Sequence, residues 1–154
     1  MIQLQPITEL VIVSKAGSIL ELAGLLDDHY ISHGYSLTRD DILDVLQVDF
    51  LFYTAWATSQ EQREGGVRTI NENTVISLAE WGIVEPVFRA HLDWIQAQRM
   101  ESTASLGVAS FGLSVPEAKS IFDTAKKKKK KDAFIAEPFT IDYDYIKPNR
   151  GIGY

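Results

Sequence analysis

The sequence has no cysteine, which excludes disulfides and thiolate-held metals and leaves the redox compartment open. No apolar run approaches the roughly 20 residues that a membrane-spanning helix needs. The opening MIQLQPITEL lacks a basic stretch ahead of an apolar core, so it is not expected to be a signal peptide. Phosphate-binding glycine loops, dinucleotide fingerprints, nucleophile elbows and zinc-helix motifs are missing too. Positive charge is scarce except in one place. Six of the nine lysines are consecutive, Lys126 to Lys131, and without them the formal charge of −6 becomes −12. Such an acidic body excludes wrapping DNA by counterion release, which requires a basic footprint. It is compatible with a surface that DNA slides past without sticking.

What is present is a helical pattern. At 154 residues with 45% hydrophobic content, the chain is long enough for a real core. It reads as a helical bundle over residues 1–131 with an extended arm over 132–154. Leu10–Val13 is ambiguous between a strand and an early helical turn. Ser18–His29 reads as a helix with Ile19, Leu22, Leu25 and Leu26 on one side, and residues 31–36, holding Gly34, form a connector. Thr38 is a natural N-cap, with Asp40 and Asp41 in the first turn where the helix dipole favours acids. The helix of residues 39–63 carries Ile42, Val45, Leu46, Phe50, Tyr53 and Trp56 or Ala57 on its main face. Leu43, Leu51 and Phe52 extend its apolar character around the cylinder, so it requires cover on more than one side. The chain then dissolves into the polar residues 59–66.

The chain is organised around a long central helix between Asn73 and Gly107. Ser77 and Glu80 fit a capping box, with Thr74 as an alternative cap. Val84, Val87, Phe88, His91, Trp94 and Ile95 form one apolar stripe, while Glu85, Arg89, Asp93, Gln96 and Arg99 take the opposite face. Pro86 should kink the helix or mark its true first turn, and Gly107 is placed to end it. After a loop over residues 108–114, Ser114, Pro116 and Glu117 start another helix that runs through Ile121, Phe122 and Ala125 into the lysines. Six successive residues at roughly 100° each circle a helix. That end is therefore expected to pack on no apolar surface.

Chemistry-bearing candidates are few. His29 and His33 are four apart, but Gly34 and the polar surroundings suggest a helix end and not a metal site. His91 reads as a hydrogen-bonded core histidine, and Asp40 and Asp41 as dipole-matching acids beside Asp44. No catalytic residue, metal or cofactor is expected. Lys126, Lys127, Lys128, Lys129, Lys130 and Lys131 read as a solvated helix end, or as a contact for phosphates or an acidic partner. In the tail, Phe139, Ile141, Tyr143 and Tyr145 alternate with Thr140, Asp142 and Asp144. This is a period-two strand, bracketed by Pro138 and Pro148. An unpaired edge with these side chains exposed is an aggregation hazard. Phe139, Ile141, Tyr143, Tyr145 and Ile146 are therefore assigned to partner binding.

The layout of a small helical bundle, a long helix ending in RMESTASLGVASFGLSVPEA, a further helix and a tail DAFIAEPFTID resembles the head–tail connector proteins of tailed bacteriophages. These are the adaptor or head-completion proteins of the virion neck. The likeness lies around Glu101–Glu117 and Ala133–Ile141 and spans roughly residues 38–146. It implies a dodecameric homo-oligomeric ring beneath the portal, arms docked on the portal or the next neck or tail protein, and DNA only as a passing genome. The lysine run departs from that family's texture. Two rival readings remain at this point: a cytosolic helical binding module or assembly chaperone, and a small helical enzyme using His29, His33 or His91.

Overall fold

The computed structural model describes residues 17–65, 69–107 and 112–136. The fold is mainly helical, with about 75% of the described residues in helices. Its elements are β1 (Gly17–Ser18), α1 (Ile19–Ser32), α2 (Arg39–Thr54), α3 (Gln60–Gly65), β2 (Val75–Ile76), α4 (Leu78–Ala104) and α5 (Val115–Ala136). Leu10–Val13 and the strand expected within the tail lie outside the described residues.

Side chains three residues apart start most of these helices. Ser18 with Glu21, Thr38 with Asp41, and Ser77 with Glu80 each close a reciprocal capping box, satisfying backbone N–H groups that a helix start leaves orphaned. Ser114 and Glu117 do the same for α5. Glu80 does more than its sequence position suggests. One of its oxygens accepts from Ser77 N–H at 2.9 Å and the other from Gln60 N–H at 2.6 Å. One buried carboxylate thus serves the starts of both α3 and α4. Gly107 ends the turn after α4 at φ +90°, a left-handed conformation cheap only for glycine.

The helix expected over residues 39–63 is two helices. α2 ends at Thr54 and a turn follows; α3 then restarts at Gln60 inside the stretch read as dissolving. Ser59 and Gln62 bond each other's backbone N–H and supply the restart. Pro86 lies within α4, well past its first turn at Leu78. β1 and β2 pair antiparallel, Gly17 with Ile76 and Ser18 with Val75. The N–H groups of Ile19 and Leu20 then bond the carbonyls of Thr74 and Glu72. The start of α1 is thereby fastened to the start of α4, a pairing the sequence reading did not contain.

The main core joins α1, α2 and α4 through Ile19, Leu22, Leu26, Ile42, Leu46, Phe50, Trp81, Val84, Phe88 and Leu92. A second cluster of Val87, Ala90 and Phe122, with Trp94 against it, joins α4 to α5. The apolar stripe of α4 therefore serves two neighbours. Leu25, expected in the core, is 43% exposed. The polar side of α4 is occupied too. Asp93 accepts from the Tyr35 hydroxyl, Gln96 from Ser36 N–H at 2.9 Å, and Arg99 donates to the Ser36 carbonyl and pairs with Asp41 at 2.8 Å. These bonds clamp the α1–α2 connector. Burial alone would raise the Asp41 carboxyl; hydrogen bonds from Thr38 and the Arg99 charge outweigh it and hold it below its usual value.

Phe88 is fully buried between the Tyr30 and Trp81 rings, so Phe88→Ala is expected to cost about 3–5 kcal/mol. Leu51 is 58% exposed, and Leu51→Gln should change stability by less than about 0.5 kcal/mol. Urea unfolding at high dilution, followed by circular dichroism, distinguishes the two.

Candidate assembly surface

The lysine helix is where sequence reasoning and structure differ most. α5 runs beyond Lys131 through Asp132 and Ala133 to Ala136, so helix occupies the first residues assigned to the arm. Ala133 is fully buried in the main core. The lysine end is packed, contrary to expectation. Lys129 is 1% exposed, and its ammonium donates to the Asp49 carbonyl of α2 and lies 5.1 Å from the Phe52 ring centre. Lys126 stands 4.6 Å over the Phe52 ring and Lys130 4.1 Å over Trp56. About two turns earlier, Lys119 stands 4.5 Å over Trp94.

The physical reason is that lysine is two-natured. Its four methylenes cover apolar surface while the ammonium finds a ring face or a carbonyl. A cation over an aromatic face contributes about 0.5–2 kcal/mol, more as water is excluded. Phe52 on α2 and Trp56 in the turn that follows are four apart, matching Lys126 and Lys130 four apart on α5. That matched spacing was the signal available in the sequence. The helix thus sorts its lysines. Lys126, Lys129 and Lys130 reach the rings and carbonyl of α2 and of the turn after it, Lys130 from an exposed position, whereas Lys127, Lys128 and Lys131 are exposed and, among the described residues, pair with no carboxylate.

Beneath the fastening lies a polar knot that joins three helices. The Asp49 carboxylate, 2% exposed, lies 3.1 and 3.2 Å from His91 Nδ1. The His91 ring stacks on Phe122 with centroids 4.5 Å apart. His91 is thus a hydrogen-bonded, partly buried histidine at the edge of the core, and among the described residues no hydroxyl bonds it. Asp49 escaped notice in the sequence, although an acid between Leu46 and Phe50 on the buried arc of α2 was the sign of it.

Elsewhere, His29, Tyr30, His33, Tyr35, Arg89 and Asp93 line an open cleft of ≈ 360 Å³. The His29 and His33 rings are 4.2 Å apart, and His33 Nδ1 lies 2.7 Å from the His29 carbonyl. Among the described residues, no three His, Asp or Glu side chains converge to hold a metal ion. Asp40 and Asp44 are exposed on α2. Phe139, Ile141, Tyr143, Tyr145 and Ile146 lie outside the described residues. No helix among the described residues is long and apolar enough to cross a membrane. No protein-family model, curated protein or solved structure matches the chain.

Burial lowers the Lys129 ammonium from its ordinary 10.5 to about 8; the Asp49 charge opposes the shift and Lys126 adds to it. From about pH 8 to 10.5 the unfolded chain keeps this proton while the folded chain releases it, so stability rises with pH in that window. Burial pushes the Tyr30 hydroxyl up to about 12, and burial with the Asp93 hydrogen bond raises Tyr35. Unfolded phenols ionise near 10, so these two groups make stability fall above about pH 10. Stability should therefore climb from about pH 8 to 10 and then decline. Lys129→Met is expected to remove the climb and keep the decline, as read by denaturant unfolding across about pH 7 to 11. An undiminished climb in the Met variant excludes Lys129 as its source.

Proposed function

We propose that this chain is a structural subunit of the tailed-bacteriophage neck, an adaptor that joins portal and capsid to the tail and lines the DNA channel. In this reading α4 is the central rod of each subunit, and a homo-oligomeric ring, dodecameric in the resembled family, surrounds the passing genome. Residues 137–154 act as the arm, with the strand of 139–146 added to the portal or to the next neck or tail protein. The role is assembly and not catalysis, and the site of action is the virion.

The observation that carries this reading is the apolar surface left open by a helical fold. Val48 is 56% exposed, Leu51 58%, Phe134 64% and Ile135 68%. Large apolar side chains in contiguous positions mark surfaces that another molecule covers. The acidic composition outside α5 supports a channel wall, because like charge keeps DNA from adhering. The layout and the tail sequence support the neck assignment over other assemblies.

Deletion is best placed after Ala136, because cutting at 132 would remove Ala133 from the core. A chain ending at Ala136 should retain its helical circular dichroism, thermal unfolding and self-association, and should lose binding to the portal or to the next neck or tail protein, read by co-sedimentation. A shortened chain that still binds that partner would argue against the arm. Native mass measurement of the full chain, in multiples of 17.3 kDa, gives the copy number.

A further inference from the structure

A closed ring needs two different faces on each subunit, because a heterologous contact places one patch against another. The described surface offers such a pair. On α2 and its C-cap, Asp40, Asp44, Val48, Leu51 and Ala55 are all exposed. At about 100° per residue they fall within roughly 80° of one another, opposite the buried Asp49. On the solvent side of α5, Lys127, Lys128, Lys131, Phe134 and Ile135 are likewise all exposed. They fall within roughly 120°, opposite the buried Lys129 and Ala133.

Both stripes have the same order. Running from N- to C-terminus, α2 presents acids and then apolar side chains, and α5 presents lysines and then apolar side chains. At about 1.5 Å per residue the acid pair lies about 11 Å before Val48 and Leu51, and the lysines about 9 Å before Phe134 and Ile135. Laid alongside in the same direction, the two stripes match charge to opposite charge and apolar to apolar. The antiparallel arrangement would set lysines on leucine and valine, and phenylalanine on aspartates.

We propose that these stripes are the two halves of one interface between copies of this chain, with the α5 stripe of one copy seated parallel on the α2 stripe of the next. The inference rests on the ring reading above and names the contact that would build the ring. A second copy suits the lysines better than DNA does, because the body behind them carries net negative charge. That body repels phosphates, whereas the facing acids of another copy attract the lysines. The apolar halves contribute burial, and the charged halves set direction and register, the usual division between burial and charge at interfaces.

Charge reversal in the full chain tests this. One variant carries Asp40→Lys and Asp44→Lys, the other Lys127→Glu, Lys128→Glu and Lys131→Glu. Each alone faces like with like and should weaken self-association at least about tenfold, read by sedimentation or mass photometry, with circular dichroism as the folding control. Mixing the two variants should restore assembly, because each then offers the stripe the other lacks; a chain carrying all five changes should also assemble. Should a reversed variant misfold, the neutral set Asp40→Asn, Asp44→Asn and Lys131→Gln should still weaken association. Wild-type assemblies that survive both reversals overturn the pairing and leave the ring reading standing. A wild-type chain that stays monomeric at every concentration overturns both. A lysine variant that assembles normally but loses binding to duplex DNA overturns the pairing in favour of phosphate contact.

Discussion

The buried ammonium of Lys129 is the constraint on which the arrangement of the helices depends. A charge taken out of water is costly unless something nearby answers it. Here the Asp49 carbonyl accepts from it, with the Asp49 carboxylate, itself held by His91, in the same knot. Asp49 belongs to α2, His91 to α4 and Lys129 to α5, so the positions of three helices are tied to one small polar group. Apolar packing would tolerate α5 sliding or rotating on its neighbours by a fraction of a turn. The knot does not, because any such movement strands a charge.

The same economy recurs at the surface of the bundle. Glu80 serves two helix starts, the apolar stripe of α4 faces two cores, and its polar side clamps the connector between α1 and α2. α4 touches neighbours on several sides, and it runs on through Pro86 without a break. Lysines take the part of the missing apolar layer over Phe52 and Trp56. That leaves Val48 and Leu51 as the uncovered part of α2.

Much of this was legible in the sequence. Ser77 with Glu80, Thr38 with Asp41, and Ser114 with Glu117 state their helix starts in residue types that have little other reason to stand three apart. The excess apolar circumference of α2 was visible from Leu51 and Phe52. What could not be read were features in which one residue has two partners far apart in sequence. Glu80 reaching Gln60, Asp49 holding His91 and accepting Lys129, and Ile19 bonding Thr74 all depend on how helices lie together. The lysine run was misread because counting charges ignores the hydrocarbon beneath each one.

The packing of Phe122, Lys126, Lys129 and Ala133 at successive turns has a mechanical consequence. These contacts lie along the axis of α5, whose last described residue is Ala136. A pull along the axis at Ala136 loads the rings, the ammonium groups and the buried alanine side by side in shear, and none of them can yield without its neighbours. Peeling sideways would break them one after another at far lower force. The helix therefore behaves as a cleat whose holding strength depends on the direction in which the line is drawn.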